Sequence, residues 1–283
     1  MEMLRITEAL LLMLAALLQD HTAAAAEAQG FPLDMALSSV DDQFSICRAK
    51  MSRLVEKTYL KEERSNSNIF NELWRVGEQK AVRVRNFLRR FKKKHSIAIY
   101  VYTSASKDVN KVVYPQFNND TRNGKQNYTL NRYRWYSLYF LLTDAVQILR
   151  KEQKNKCYDT YRATKSTFNL HKSKEIRFGS FTSTSLDFNQ AKRFGKVSCF
   201  KIHTCEGADV TKYSSVQFEQ EVLIPPYEKF RVTAVLTKTD GCETVYKLES
   251  SGKRSDLDCA LFRKNTLFPQ TLDPADRGSQ NIL

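Results

Sequence analysis

The chain has 283 residues, and its 45 basic against 31 acidic residues give it a formal net charge of +14. This length suffices for one sizeable domain or two small ones, and the charge favours anionic partners such as nucleic acids or sulfated and sialylated glycans without selecting one. The six cysteines form no C-x-x-C pair and histidine occurs only four times, so we expect disulfides, no metal site and no metal catalysis.

The first 26 residues predict a secretory signal peptide. An apolar stretch from Ala9 to Leu18 precedes the alanine run Ala23–Ala26, whose small residues suit a cleavage site. The apolar stretch is shorter than the roughly 20 residues that span a bilayer. The polar C-terminal segment, residues 266–283, lacks the hydrophobic tail of a lipid-anchor signal. We therefore expect a soluble product, secreted to the extracellular space or the lumen of a secretory granule.

Helices are predicted for most of the first half of the mature chain. Over Cys47–Glu63 and Asn68–Lys94, apolar residues recur at mixed steps of three and four with charges between them. The second segment ends in the basic run RVRNFLRRFKKK, which suits a solvated helix face near a C-terminus and leaves a nucleic-acid or glycan site open. Ser96–Thr103 predicts a strand because aromatic and β-branched residues dominate it. Arg134–Arg150 predicts a helix whose apolar stripe packs on a core.

Two N-glycosylation sequons begin at Asn119 and Asn127, within one polar stretch that has no clear period. Such triplets also arise by chance. In a secreted chain, this stretch predicts a glycosylated surface loop.

From Cys157 onward, short runs rich in strand formers dominate the sequence: CYDTYRAT, RFGSFTSTS, VSCFKIH, FEQEVLIPP, EKFRVTAVL and TVYKLES. Helices followed by strands predict an α+β protein rather than a parallel sheet with alternating helices. No internal repeat and no long linker divides the chain. We expect a single domain over residues 27–265, mostly helical in 27–150 and mostly β in 151–265.

Three of these runs carry side chains suited to chemistry. Arg162 offers a planar fork of donors for phosphate or carboxylate oxygens, and Phe181–Ser185 (FTSTS) offers small hydroxyls. Strand geometry predicts Glu219 and Glu221 on one face with Gln220 on the other, where their repulsion raises at least one pKa. Taken singly, each feature also has a structural explanation: a surface arginine, an exposed sheet edge, or charges that protect an apolar strand from aggregation.

The order of these runs resembles the R-S-E signature of the vertebrate arginine-specific mono-ADP-ribosyltransferase ecto-enzymes. An arginine on a first strand is followed by Phe-x-Ser-x-Ser and then by Glu-x-Glu before Val-Leu-Ile-Pro-Pro. The similarity runs from about Cys47 to Cys259 and includes LTDA, IRFGSFTSTS and SSGKRSDLDCA. It implies the ADP-ribosyltransferase fold, in which an N-terminal helical part packs on a mixed β-sandwich core with the NAD cleft between.

The resemblance also implies an activity: transfer of ADP-ribose from NAD to the guanidinium of protein arginines, with release of nicotinamide. Positive charge builds on the ribose as its glycosidic bond stretches, as in glycoside cleavage. NAD, or alternatively NADP, would serve as co-substrate, and no cofactor would be bound permanently.

Site roles follow from the same resemblance. Arg162 binds NAD and anchors the site, Ser183 hydrogen-bonds the nicotinamide-side ribose and orients the catalytic glutamate, and Ser185 supports the strand and contacts NAD. Glu221 matches the catalytic glutamate. Glu219 matches the position that directs transfer to arginine.

The loop before these glutamates, residues 209–217, is expected to present the acceptor side chain, with Tyr213 as a candidate aromatic contact. The resemblance also pairs four of the cysteines, Cys47 with Cys259 and Cys157 with Cys205. The remaining two either form a third bridge or stay as buried thiols: Cys199 and Cys242.

Two other functions stay open at this point. One is an NAD glycohydrolase that uses water in place of the guanidinium, which Glu219 disfavours as the main activity; the other is a catalytically inactive cationic binding protein on the same fold. The expected partners are NAD and arginine-bearing proteins, polycationic extracellular polypeptides among them. We expect a monomer with no specific nucleic-acid motif and no membrane anchor.

Overall fold

The computed structural model describes residues 30–82, 90–104, 110–170 and 174–263. The predicted signal peptide and the polar C-terminal segment 266–283 lie outside these residues.

After a short strand at residues 31–33, helices form most of the first half of the described chain. They are α1 (Arg48–Leu54), a π-helical turn (Val55–Tyr59), α2 (Leu60–Asn66), α3 (Asn68–Lys80), α4 (Lys93–Thr103), α5 (Asn110–Asn123), α6 (Lys125–Thr129) and α7 (Tyr136–Glu152). The first three cover the helix predicted from Cys47, and α7 covers the apolar stripe predicted from Arg134. Among the described residues, no helix has the length and apolar content needed to cross a bilayer.

The predicted strand over Ser96–Thr103 is wrong, because this segment forms α4. Ile97, Ala98 and Ile99 are successive residues, and each is at most 3% exposed. In a segment buried on all sides, apolar residues recur with neither a two-residue nor a 3.6-residue period. Its β-branched residues then favour a strand although the segment is helical. Gly77 of α3 permits the close packing, since a Cβ there would lie 3.0 Å from the Ile97 side chain.

The predicted helix over residues 68–94 is confirmed for Asn68–Lys80, but its length is wrong. Helix α3 ends at Lys80, and Lys92 is extended, with φ −102° and ψ 166°, directly before α4. The backbone N–H of Lys92 donates to Nδ1 of His95 at 2.9 Å, which caps the start of α4. The described basic residues therefore lie in the connection and in the first turn of α4, not on the C-terminal face of one helix; residues 83–89 lie outside the described residues.

The strands of the described residues form two sheets. They are β1 (Phe31–Leu33), β2 (Tyr158–Thr164), β3 (Phe168–Leu170), β4 (Glu175–Ile176), β5 (Thr182–Ser185), β6 (Ser198–Thr204), β7 (Ala208–Asp209), β8 (Glu221–Ile224), β9 (Glu228–Thr239) and β10 (Cys242–Lys253). The first and third pair in parallel, and the other eight are ordered β4-β9-β10-β6-β2-β5-β8-β7. Only β10 and β6 are parallel within that larger sheet, so the α+β class is confirmed.

The larger sheet is joined at its middle by little backbone pairing. Strands β2 and β5 share the single residue pair Tyr161 with Ser185. Just before β5, Phe181 is 1% exposed, and its ring lies 5.6 Å from Tyr139 of α7 and 5.9 Å from Phe117 of α5. Burying such rings stabilises the fold by about 1.5–3 kcal/mol each. The helical part thus holds β5 at the point where the sheet divides.

Three disulfides close the described chain. Cys47 at the start of α1 bonds to Cys259, and this is the longest of the three loops, with a sequence separation of 212 residues. The other two pairs are Cys157 with Cys205 and Cys199 with Cys242. Closing a loop as long as the one between Cys47 and Cys259 stabilises the folded state by on the order of 4–5 kcal/mol. Cys199 and Cys242 thus form a third bridge and are not buried free thiols.

A fully buried ion pair fastens the N-terminal segment to the sheet. Arg177 and Asp41 are both 0% exposed, and Nη1 of the arginine lies 2.7 Å from a carboxylate oxygen of the aspartate. The guanidinium also donates to the carbonyl oxygens of Met35, Ala36 and Arg254. These bonds compensate the burial of its charge and join three distant stretches of chain.

The sequons lie on helices, so the predicted surface loop is wrong. Asn119 is on α5 and Asn127 is on α6, and both side chains are exposed. Thr121 completes the first sequon but is 0% exposed; its hydroxyl donates to the carbonyl oxygen of Phe117 and bonds the hydroxyl of Tyr133, both at 2.7 Å. These buried contacts hold the polar stretch in a helix.

Candidate active site

A cleft of about 400 Å³ lies at the junction of β2 and β5, the two strands of the larger sheet that share one residue pair. Strands β2 and β5, the start of β8, the C-terminal end of α4 and a short helix α8 (Phe188–Lys192) border it. The Asp187 side chain caps helix α8 by accepting the backbone N–H of Asn189. Five residues selected from the sequence line the cleft: Arg162, Ser183, Ser185, Glu219 and Glu221.

Arg162 bridges the two halves of the sheet. It extends from β2, and its Nη1 donates to the carbonyl oxygen of Ser183 on β5 at 2.9 Å. This side-chain bond reinforces strands that share a single backbone pair. A guanidinium has five N–H donors, so one bond to the protein leaves further donors for an anionic ligand in the cleft.

The two glutamates do not share a strand, so the predicted alternation is wrong. Glu219 ends a 3₁₀ turn (Gln217–Glu219), Gln220 is left-handed with φ +48° and ψ 56°, and β8 begins at Glu221. Ser185 Oγ donates to the carbonyl oxygen of Glu219 at 2.7 Å. The backbone N–H of Leu186 donates to the carbonyl oxygen of Gln220 at 3.0 Å. A left-handed non-glycine residue costs about 1–2 kcal/mol, and these bonds from the end of β5 hold it.

Glu221 is the inner carboxylate of the cleft, with 3% of its surface exposed. Its Oε2 accepts from Ser214 Oγ at 3.2 Å, whereas its buried Oε1 has no hydrogen-bond partner within the described residues. Burial raises the pKa of Glu221 to about 7, although the hydroxyls of Ser183 and Ser214 oppose the shift. An unsatisfied buried acceptor costs about 1–3 kcal/mol, so this oxygen is suited to accept from a bound ligand.

Glu219 is the outer carboxylate, and it is only half-buried. Burial raises its pKa, and the guanidinium of Arg193 opposes the shift. Next to it, Phe218 is 60% exposed and has that guanidinium 5.6 Å from its ring centroid. The mouth of the cleft therefore joins a carboxylate to an aromatic face, two groups that attract guanidinium ions.

Tyr213 does not contribute to the cleft, so its expected contact with the acceptor is wrong. It is 5% exposed and packs on Phe91 with ring centroids 4.6 Å apart. The loop around it is instead tied to α4: the N–H of Ser215 donates to Thr103 Oγ1 at 2.9 Å, and its hydroxyl donates to the Thr103 carbonyl oxygen at 2.5 Å. These bonds join the loop to the C-terminal end of α4.

Sequence reasoning missed the helical wall of the cleft. Tyr102 and Thr103 lie in the segment predicted as a strand, and Tyr114 lies on α5. The Tyr102 hydroxyl donates to the Phe181 carbonyl oxygen at 2.8 Å, and its ring lies 5.2 Å from Tyr114. No pattern in the sequence marks these residues, because their proximity to β5 depends on long-range packing.

The family model described as "NAD:arginine ADP-ribosyltransferase" matches residues 33–256. The chain belongs to this family. The fold and the enzyme class implied by the sequence resemblance are thereby confirmed, with NAD as the co-substrate.

Relatives of known name support the same assignment. The chain is 35% identical over 237 residues to NAD(P)(+)--arginine ADP-ribosyltransferase 2 of Gallus gallus, which covers 82% of this chain and 73% of that protein. It is 31% identical over 259 residues to Ecto-ADP-ribosyltransferase 4 of Homo sapiens, covering 88% and 79%.

Solved structures show the same fold. A mutant of the eucaryotic mono-ADP-ribosyltransferase ART2.2 in complex with NADH superimposes with a TM-score of 0.69 at 26% identity, covering 81% of this chain and 98% of that one. A second ART2.2 mutant, in complex with NAD, gives a TM-score of 0.67 with the same identity and coverage.

Proposed function

We propose that the cleft transfers ADP-ribose from NAD to arginine side chains of other proteins, with Arg162, Ser183 and Glu221 as the catalytic residues and Glu219 as the acceptor-selecting residue. The observation that carries these roles is the inner carboxylate: Glu221 is buried beside Arg162 and Ser183, and its Oε1 has no partner among the described residues. A site that binds a ribose supplies the missing donor.

The reaction breaks the bond between C1′ of the ribose and the ring nitrogen of nicotinamide. The electron pair leaves with nicotinamide, which becomes neutral, and positive charge develops on the ribose. A carboxylate at Glu221 accepts from the ribose 2′-hydroxyl and stabilises this charge. Preorganised groups of this kind contribute roughly 3–4 kcal/mol each.

Arg162 and Ser183 position NAD in this proposal. The free donors of Arg162 suit the diphosphate oxygens, while the Ser183 hydroxyl binds the ribose next to the nicotinamide and lowers the pKa of Glu221. Ser185, which is 6% exposed, contributes by holding the Glu219 carbonyl oxygen.

Glu219 receives the acceptor. Its carboxylate at the cleft mouth pairs with the incoming guanidinium by two parallel hydrogen bonds. One guanidinium nitrogen then bonds to C1′ and loses a proton, which Glu219 accepts and passes to solvent. The modified arginine keeps its positive charge, so the proton and the charges balance.

The cellular setting is part of the proposal. Three disulfides suit an oxidising compartment, and one relative is named as an ecto-enzyme. We therefore place the enzyme outside the cytosol as a secreted monomer, with residues 27–265 as one catalytic domain. Arginine-rich extracellular polypeptides are its proposed acceptors.

The direct test is incubation of the protein with labelled NAD and agmatine, followed by separation of the adduct from free ADP-ribose. We expect ADP-ribosyl-agmatine as the main product. Free ADP-ribose without adduct would identify an NAD glycohydrolase instead, and unchanged NAD would identify an inactive binding protein.

The pH dependence of transfer follows from Glu221. Its pKa is raised to about 7, so the catalytic carboxylate is lost as the pH falls through this value. We expect kcat/KM to be half-maximal near pH 7 and about tenfold below its plateau one pH unit lower. A profile that stays flat from pH 5 to pH 8 in a three-buffer series would contradict the role of this ionisation.

Ser214→Ala is expected to move that profile. The Ser214 hydroxyl donates to Glu221 and lowers its pKa, so its removal shifts the acidic limb of kcat/KM to higher pH. The loss of activity is then larger at pH 6 than at pH 9. The matched control is Ser215→Ala, one residue along, whose hydroxyl bonds Thr103 instead; it should leave the position of the limb unchanged.

A further inference from the structure

A second group of cavities lies away from the NAD cleft and carries a strong positive charge. Three cavities of about 450, 340 and 150 Å³ share Arg48 and Arg90 in their linings, which makes them one continuous depression. We call this depression the basic groove. Seven basic residues line it: Arg48, Arg90, Lys92, Lys94, Arg150, Lys151 and Lys253.

The acidic residues of the basic groove leave part of this charge unbalanced. The lining contains four carboxylates, and three of them are already in ion pairs: Asp144 with Arg48, Glu56 with Lys94, and Glu206 with both Arg150 and Lys253. The fourth is Glu152. Three exposed cations make no ion pair within the described part of the chain: Arg90, Lys92 and Lys151.

The floor of the basic groove is rigidly built. Asp144 of α7 is 5% exposed and accepts from Arg48 Nη2 at 2.9 Å and from His95 Nε2 at 3.0 Å. These bonds lower the pKa of Asp144 against the opposing effect of burial. Arg48 is thereby fixed between α1 and α7, while 35% of its side chain stays open to the groove.

We propose that the basic groove binds a sulfated polysaccharide chain. A continuous depression lined by seven basic residues is complementary to a polymer that carries closely spaced sulfates. The disulfides place the protein in an oxidising compartment, where such glycans are the abundant anionic polymers.

The lining favours a glycan over a single-stranded nucleic acid. Proteins that bind single strands offer exposed aromatic rings on which bases stack. The described aromatic residues in the lining are buried: Phe44 is 3% exposed, and Phe140 and Tyr227 are 1% exposed. The groove therefore offers charge without a stacking surface. This inference is independent of the proposed catalytic function.

The test compares two triple variants that each remove one arginine and two lysines from exposed positions. The groove variant is Arg90→Ala, Lys92→Ala and Lys151→Ala, and the matched control is Arg75→Ala, Lys196→Ala and Lys238→Ala. Each is titrated by calorimetry with a heparin-derived oligosaccharide and with its fully desulfated counterpart. Transfer of ADP-ribose to agmatine and the thermal midpoint are measured on both as checks of folding.

We expect the groove variant to bind the sulfated oligosaccharide about eightfold more weakly, because each lost contact contributes roughly a factor of two. The control should weaken less than twofold, and the desulfated sugar should not bind. Charge reversal by Lys151→Glu alone should also weaken binding, which covers the case in which the triple variant folds poorly. If both triple variants lost the same binding affinity, the binding would depend on net charge and not on the basic groove. This result would overturn the proposal. Equally tight binding of a single-stranded oligonucleotide of the same charge would overturn the choice of partner.

Discussion

Glu221→Gln is expected to lower transfer to agmatine by about 100- to 1000-fold, because single preorganised groups that stabilise transition-state charge contribute on this scale. Glutamine keeps the size of the side chain and one acceptor oxygen, but it carries no negative charge against the developing ribose cation. Both transfer and NAD hydrolysis should fall, since both pass through that cation. Wild-type transfer by this variant would refute the assignment of Glu221.

The same substitution should leave the fold intact and make it more stable at alkaline pH. The pKa of Glu221 is raised on folding, so its stabilising contribution is full below the unfolded pKa and is lost as the pH rises through about 7. Glutamine does not titrate. The thermal midpoint of the variant should therefore equal or exceed that of the wild type at pH 8, and the difference should shrink toward pH 5.

A buried carboxylate with a structural role provides the matched control. Glu228 is 0% exposed and its pKa is also raised by burial. Unlike Glu221, it accepts from Thr204 Oγ1, Ser250 Oγ and the backbone N–H of Cys205. Glu228→Gln should lower the thermal midpoint, because an amide N–H₂ would face these donors, and should keep activity per folded molecule. Both pKa values are raised, so the buried oxygen without a partner among the described residues is what singles out Glu221 as the proposed catalytic carboxylate.

Glu219→Gln is expected to separate the two activities of the cleft. A carboxylate that pairs with a guanidinium through charged hydrogen bonds contributes roughly 1.5–3 kcal/mol, so transfer to agmatine should fall by about 10- to 100-fold. NAD hydrolysis should remain measurable because Glu221, Ser183 and Arg162 are untouched. The experiment follows both products from the same reaction, ADP-ribosyl-agmatine and free ADP-ribose.

The control for this variant removes an exposed acidic group outside the cleft. Glu243→Gln lies on β10 and is exposed, so it should change neither product. If transfer and hydrolysis fall in parallel in Glu219→Gln, then Glu219 supports the geometry of Glu221 and does not select the acceptor. The two roles must be separated because Ser185 Oγ also bonds the backbone carbonyl oxygen of Glu219. This bond does not involve the Glu219 carboxylate.

Much of the fold was predictable where one face of an element meets the core and the other meets solvent. The start of β2 records such half-burial, because Tyr158 and Thr160 are buried while Asp159 between them is exposed. Segment α4 carries no such record, since Ile97, Ala98 and Ile99 are all buried, and its assignment as a strand was wrong. Tyr102 and Thr103 were missed as cleft residues because their proximity to β5 depends on long-range packing.

The α+β class and the side chains of the cleft, an arginine, serines and two carboxylates, could be predicted from the order of residues in the chain. The arrangement of the two carboxylates depends on long-range contacts. Bonds from Ser185 and Leu186, more than thirty residues earlier, hold Gln220 in a left-handed conformation and place Glu219 on a turn. The tertiary structure also brings Arg48, Arg90 and Lys151 together in the basic groove. Such contacts join residues far apart in the chain, and no local pattern of side chains encodes them.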